Sequence, residues 1–223
     1  IQEKPLIQKD VTGTTFIVSG DEINLLPVDN VTDVIRLKPG VTIEGNVRGG
    51  KTTEVLYLVD GLPVQDVLVG GRSADLPNSS IVGLSFYSGG FEPEYGNALS
   101  GVVNIVTKTG TNEHKFFVRA DKDNLFGTKQ VSKTTEAEVS VSGPVLTDQL
   151  FYFASLTGNT TDTRWWQDMQ YFFKSPIEKN YGGFGKLDYL FTPTMRLGVQ
   201  GLYSHRDWRD YEFSWRFNLG GLP

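Results

Sequence analysis

Apolar positions follow two different rules along this chain. Between residues 11 and 108 they come in short runs broken by turn residues. Residues 11–18, rich in Thr, Val, Ile and Phe, predict a strand. Ser19, with Glu22 three residues on, has the pattern of a capping box and predicts a short helix over 21–25 that stops before Pro27. Asn30 is placed to cap a second helix. Its apolar face is Val31, Val34, Ile35 and Leu37, and Pro39-Gly40 ends it. Residues 41–43 and 46–48 read as extended, and 54–59 as a strand. Asp60-Gly61 is a hairpin turn, and 62–64 the return strand. Residues 67–77 read as a loop and 81–87 as a strand. Gly101 then opens the β-branched run Val102-Val103-Asn104-Ile105-Val106-Thr107, again a strand. This half is a compact α/β unit.

From Asn112 onward apolar and polar residues alternate. Phe116, Val118 and Ala120 share one side of the first strand. Ala137, Val139 and Val141 share a face opposite Glu136, Glu138, Ser140 and Ser142, and Gly143-Pro144 reads as a turn. Leu150 to Thr157 forms the next strand. Gly185, Leu187, Tyr189 and Phe191 alternate with Lys186 and Asp188, Thr192-Pro193-Thr194 turns, and Met195, Leu197, Val199 and Tyr203 alternate with Arg196, Gln200 and Ser204. Strands of about ten residues joined by short turns and longer polar loops suit transmembrane β-hairpins. A half-buried soluble sheet has the same period, so the pattern by itself divides evenly between the two. Aromatic placement tilts the reading toward a membrane wall. Phe151, Tyr152, Phe153, Tyr189, Phe191 and Tyr203 fall near strand ends, where interface girdles lie. The aromatic segment from Arg164 to Phe173 reads as a long loop, either packed or a ligand-binding aromatic patch, with packing the favoured reading.

Composition narrows the chemistry. The chain of 223 residues has no cysteine and two histidines, His114 and His205. Disulfides, thiol nucleophiles and Cys-ligated metals are excluded, and a histidine-based metal site or triad has little to build on. A net charge of −5 argues against a general nucleic-acid binder. No apolar run approaches the roughly 20 residues of a membrane helix. The mean hydropathy of −0.24 says nothing against membrane strands, whose two faces average out. Ile1-Gln2-Glu3-Lys4 reads as a mature or trimmed start, with any signal peptide outside the sequence.

Three motifs stand in order: Val47-Arg48-Gly49-Gly50; Tyr57-Leu58-Val59-Asp60-Gly61-Leu62-Pro63-Val64; and Gly89-Gly90-Phe91-Glu92-Pro93-Glu94-Tyr95-Gly96-Asn97-Ala98-Leu99-Ser100-Gly101, running on through Val103-Asn104-Ile105-Val106-Thr107-Lys108. Together they resemble the plug domain of TonB-dependent outer-membrane receptors. The later half, with Ser142-Gly143-Pro144-Val145 and Gly185-Lys186-Leu187-Asp188-Tyr189, is similar to the first strands of that family's barrel. The motif wording is closest to members carrying an extra N-terminal carboxypeptidase-regulatory-like domain.

The resemblance implies an α+β plug domain followed by antiparallel transmembrane β-barrel strands. It implies a linker over 1–10, a plug over 11–110 and N-terminal barrel strands over 111–223. The family's barrel has about 22 strands, so these form an incomplete barrel, and the chain is expected to be part of a longer protein. No TonB box is evident in the first residues, and that element is expected upstream. The implied function is import of a nutrient ligand into the bacterial cell through the outer membrane. The inner-membrane proton gradient would drive it through TonB-ExbB-ExbD, with outer-membrane lipids, the ligand and a surface lipoprotein or other envelope subunits as partners. The alternative is a non-transporting subunit of a larger envelope complex.

No cofactor, metal or nucleic acid is implied. An enzyme built on Asp60 or the Glu92/Glu94 pair ranks below both readings, because no nucleophile–base constellation accompanies those carboxylates. Arg48, Glu92 and Glu94 are the candidate ionic contacts between plug and barrel wall, with solvated loop acids as the competing reading of the two glutamates. Gly49, Asp60, Gly61, Gly90, Tyr95, Gly96, Asn97 and Gly101 carry the motif backbone. Asp60-Gly61 acts as turn chemistry. The glycines allow either positive φ and close approach or plain loop flexibility.

Overall fold

The computed structural model describes residues 14–26, 28, 31–43, 45–64, 76–90, 95–96, 98–123, 133–145, 149–162, 174–192 and 194–209. The chain divides into two compact units, Ile1–Lys108 and Thr109–Pro223.

In the first unit, β1 (Thr15–Ser19), β2 (Val55–Val59), β3 (Leu62–Pro63), β4 (Ile81–Tyr87) and β5 (Gly101–Thr107) form one sheet in the order β1-β4-β5-β2-β3. Only β2 and β5 run parallel; the other neighbours are antiparallel. Helix α1 (Gly20–Leu25) follows β1 directly, and the Glu22 N–H donates to Ser19 Oγ at 3.2 Å, as the capping pattern predicts. A Cβ on Gly20 would sit 2.3 Å from the Ile81 carbonyl oxygen, so only glycine lets the helix start this close to β4. Helix α2 (Val31–Arg36) buries Val31, Val34 and Ile35. Leu37 lies beyond its end and is exposed, because the Lys38 N–H turns back to the Ile35 carbonyl and closes the helix first. Asn30 and residues 11–13 lie outside the described residues.

β2 is buried at all five positions, as expected of a parallel strand covered on both faces. Leu56 and Leu58 share a cluster with Ala98 and Val102, against which Tyr87 and Tyr95 pack. Ile23, Val34, Leu84, Phe86 and Ile105 are fully enclosed elsewhere in the unit. The expected extended run 46–48 is shorter than predicted. Val47 bridges Val41, but Arg48 turns into the left-handed region at φ 47°.

The second unit is an antiparallel meander of β6 (Lys115–Lys122), β7 (Thr135–Pro144), β8 (Leu150–Thr161), β9 (Glu178–Thr192) and β10 (Met195–Asp207), paired in chain order. Gly143 and Pro144 do not turn. They extend β7 and pair with Tyr152 and Phe151, and just beyond them the Val145 N–H donates to the Leu150 carbonyl at 2.8 Å. β9 begins at Glu178, well before the alternation at Gly185 becomes legible.

The burial of this sheet is inverted. Along β7 the acids and serines Glu136, Glu138, Ser140 and Ser142 are buried while Ala137 and Val139 are exposed, with Glu138 at 2% and Val139 at 37%. Val118, Val139 and Leu156 stand side by side across three strands and are all exposed. A soluble sheet buries its apolar face, whereas a membrane β-wall turns that face to lipid. Tyr152, Tyr189, Phe191 and Tyr203 share the parity of the exposed apolar residues, as a girdle requires. Phe151 and Phe153 do not. They have the parity of Ser140 and Ser142 and are buried, with the rings of Phe153 and Phe184 6.2 Å apart.

Candidate functional site

The three motifs meet on the β2–β5 pair. Asp60 and Gly61 take φ values of 49° and 80° in a two-residue hairpin closed by the Val59–Leu62 pair, the geometry of a type I′ turn. Asp60 does more than turn. The Thr107 N–H donates to its Oδ1 at 2.9 Å, and the Thr107 hydroxyl donates to Oδ2. The Asp60 N–H donates to the Ile105 carbonyl at 2.9 Å. One carboxylate thus fastens the hairpin to the end of β5.

At the other end of the pair, the Leu99 and Ser100 N–H groups both donate to the Glu54 carbonyl, at 3.1 and 3.3 Å. The Lys51 N–H donates to Glu54 Oε2 at 3.1 Å. A Cβ on Gly50 would lie 2.4 Å from the Ser100 Cβ, so the Arg-Gly-Gly turn is pressed against the start of β5. Gly101, the first residue of β5, is buried.

Arg48 donates from Nη2 to Thr14 Oγ1 at 2.8 Å, and its N–H donates to the Gly40 carbonyl at 2.9 Å. Gly49 and Gly90 adopt positive φ, 84° and 67°. Tyr95 stacks on Tyr87 at 6.2 Å and, with Gly96, borders an open cavity of about 440 Å³ floored by Leu56, Leu58 and Asn104. Glu92, Glu94 and Asn97 lie outside the described residues, as do residues 67–75 of the expected loop and residues 164–173 of the aromatic segment. Among the described residues, no group of three His, Cys, Asp or Glu side chains could hold a metal.

Sequence reasoning missed the ionic ladder on the polar face of the second unit. Arg196 donates from Nε to Asp188 Oδ1 at 2.9 Å, with Nη2 2.8 Å from Oδ2. Arg206 spans Glu178 Oε1 through Nε and Nη2 at 3.1 and 2.9 Å. Asp162 Oδ2 is 3.0 Å from Lys133 Nζ and accepts from Ser175 Oγ at 2.8 Å. Arg119 pairs with Asp121 along β6 and stands opposite Glu138 on β7. Shared strand parity was the available signal, since Asp188 and Arg196 lie on either side of the Thr192–Thr194 turn.

The TonB-dependent Receptor Plug Domain family model matches residues 7–102. The TonB-dependent transporter Oar of Myxococcus xanthus is 26% identical over 132 residues, covering 52% of this chain and 12% of that protein. The probable TonB-dependent siderophore receptor PirA of Acinetobacter baumannii is 30% identical over 177 residues, covering 66% of this chain and 22% of that protein. Among solved structures, the siderophore receptor PirA from Pseudomonas aeruginosa superposes with a TM-score of 0.67 at 26% identity, over 86% of this chain and 34% of that one. This chain therefore spans well under half of the proteins it matches. A plug-type mixed sheet comes first and a meander of inverted burial after it, and residues 7–102 belong to the TonB-dependent receptor plug-domain family of bacterial outer-membrane proteins.

Proposed function

We propose that this chain supplies the plug and the first barrel strands of a receptor that imports a nutrient ligand across the outer membrane. The inverted burial of β7 carries the reading: a wall with Val139 outside and Glu138 inside separates lipid from a polar lumen. On this reading TonB-ExbB-ExbD supplies the energy from the inner membrane. No bond chemistry is required. The one motif carboxylate among the described residues, Asp60, is engaged by Thr107. Two of the relatives above are named as siderophore receptors, so a ferric siderophore is the first ligand to test.

Cells expressing the full-length receptor should accumulate one of a panel of labelled ferric siderophores, cobalamin or oligosaccharides, and an uncoupler should abolish that accumulation. Accumulation indifferent to the uncoupler, or absent for every ligand while the receptor co-purifies with other envelope proteins, would favour the assembly role. Arg48, Glu92 and Glu94 belong to the same proposal as residues that keep the plug seated, on the strength of the two motifs that carry them. Arg48→Ala, or Glu92→Ala with Glu94→Ala, should admit large antibiotics; unchanged permeability at normal expression overturns that assignment.

A further inference from the structure

Thr14 is the first described residue of the chain, and two groups from distant parts of the plug hold it. The Ser88 N–H donates to its carbonyl at 3.0 Å, which extends the β1–β4 pairing by one step. The Arg48 guanidinium donates to its hydroxyl from Nη2 at 2.8 Å. The same guanidinium lies close against the start of the third motif. A Cβ on Gly89 would come within 2.5 Å of Nη1 and 3.3 Å of Cζ. Arg48 is itself aimed by its left-handed backbone and by the bond from its N–H to the Gly40 carbonyl. One exposed cation, 34 residues from Thr14 in sequence, therefore bridges the root of β1 and the Gly89-Gly90 segment.

Among the described residues β1 is an edge strand, paired with β4 alone, so it lacks the two-sided support that β4, β5 and β2 have. A bond held at its root in water is modest and exchanges readily with solvent. We infer that Arg48, Thr14 and Gly89 form a releasable clasp that docks β1 onto the sheet and registers whether Gly89 and Gly90 are in place. Gly89 is required for this because any side chain there displaces the guanidinium. Displacing Gly89 moves Arg48, and the Thr14 hydroxyl loses its partner. Withdrawing β1 frees Arg48 in the same way. The clasp deepens the import reading and rests on it for its purpose, since it joins the N-terminal end of the plug to the motif loop.

The test is hydrogen–deuterium exchange of the full-length receptor in lipid nanodiscs, comparing amides of Thr15–Ser19 with those of β2 and β5. Thr14→Val, Arg48→Met and Gly89→Ala should each raise exchange in β1 about fivefold, the scale of one solvent-exposed hydrogen bond, and leave β2 and β5 unchanged. Thr14→Ser, which keeps the hydroxyl, should behave as wild type. Thr14→Val combined with Arg48→Met should exchange no faster than either variant, because both remove the same bond. Unaltered β1 exchange, additive effects, or an equal rise in all strands would overturn the clasp. A receptor that exchanges as expected but imports no ligand refutes import alone, and one that imports with unaltered exchange refutes the clasp alone.

Discussion

Leu156→Arg separates a membrane wall from a soluble sheet. Leu156 sits near the middle of β8, is 68% exposed, and lies beside Val139, with Val118 one strand further on. If the face met water, a surface substitution there would change stability by no more than about 0.5 kcal/mol. If it meets hydrocarbon, an arginine near the midplane costs about 2–4 kcal/mol, or roughly 30- to 800-fold in the folding equilibrium. The strand supports a midplane position. From Tyr181 to Phe191 on β9 is about 33 Å at the usual rise, and a tilt near 40° makes that about 25 Å of height, the thickness of an apolar band between girdles. Thr157→Arg is the control. Thr157 faces the opposite way and pairs with Glu138, so a cation is welcome there and the change should stay within about 1 kcal/mol. Urea titration of the full-length receptor refolded into vesicles reads both. Equal, small losses for the two variants would refute the assignment of the faces.

Three further outcomes follow from the geometry. Asp60→Ala removes both Thr107 bonds and puts a β-carbon without compensating polarity at φ 49°, so it should destabilise the receptor by about 2–3 kcal/mol, with Asp60→Asn nearer 1; thermal melts in detergent check the ranking. Gly20→Ala forces a methyl group against the Ile81 carbonyl and should cost at least about 2 kcal/mol, seen as reduced membrane-inserted receptor and a lower melting temperature. Arg196→Met strands the Asp188 carboxylate, which is 3% exposed, and should lower stability by about 2–3 kcal/mol; adding Asp188→Leu should recover most of the loss, and failure to recover would show that the pair contributes beyond charge balance.

Local signals carried much of the fold. Ser19 with Glu22, the Asp60-Gly61 turn and the β-branched run after Gly101 each specify their element within a few residues, and each formed where expected. The failures share a cause. Leu37 and Arg48 depend on which backbone hydrogen bond closes first, and a residue pattern does not record that. Gly143-Pro144 resembles a turn but stays in the ladder because its partners Tyr152 and Phe151 continue the pairing. Phe151 and Phe153 were read with the girdle because three aromatics in a row hide the parity; only the register with Ser142 assigns them to the other face. The ionic ladder required register too. Asp188 and Arg196 become neighbours only once the pairs Gly198–Asp188 and Arg196–Leu190 are known.

The plug's bonding sets an order of resistance to a pull from its N-terminal side. β2 and β5 are flanked on both sides, are bracketed at one end by Asp60 on Thr107 and at the other by Glu54 holding Leu99 and Ser100, and bury every residue of β2. Opening that pair breaks several bonds at once and exposes the cluster of Leu56, Leu58, Ala98 and Val102 to water. β1 has five paired positions on one side only, with Ile17 exposed. At its far end Gly20 couples it to α1, which packs on β4. Tension arriving through Thr14 therefore meets the weakest element first, while the parallel pair that carries the motifs keeps its register. The conspicuous plug motifs are consumed in holding the part of the sheet that should not yield, which is why they are rich in backbone-fitting residues and carry no catalytic constellation among the described residues. Among the described residues, β1 is held by its one-sided ladder to β4, by Val18 and by Phe16 stacked on Phe86, with Arg48 at its root, and contacts of this kind leave little trace in sequence.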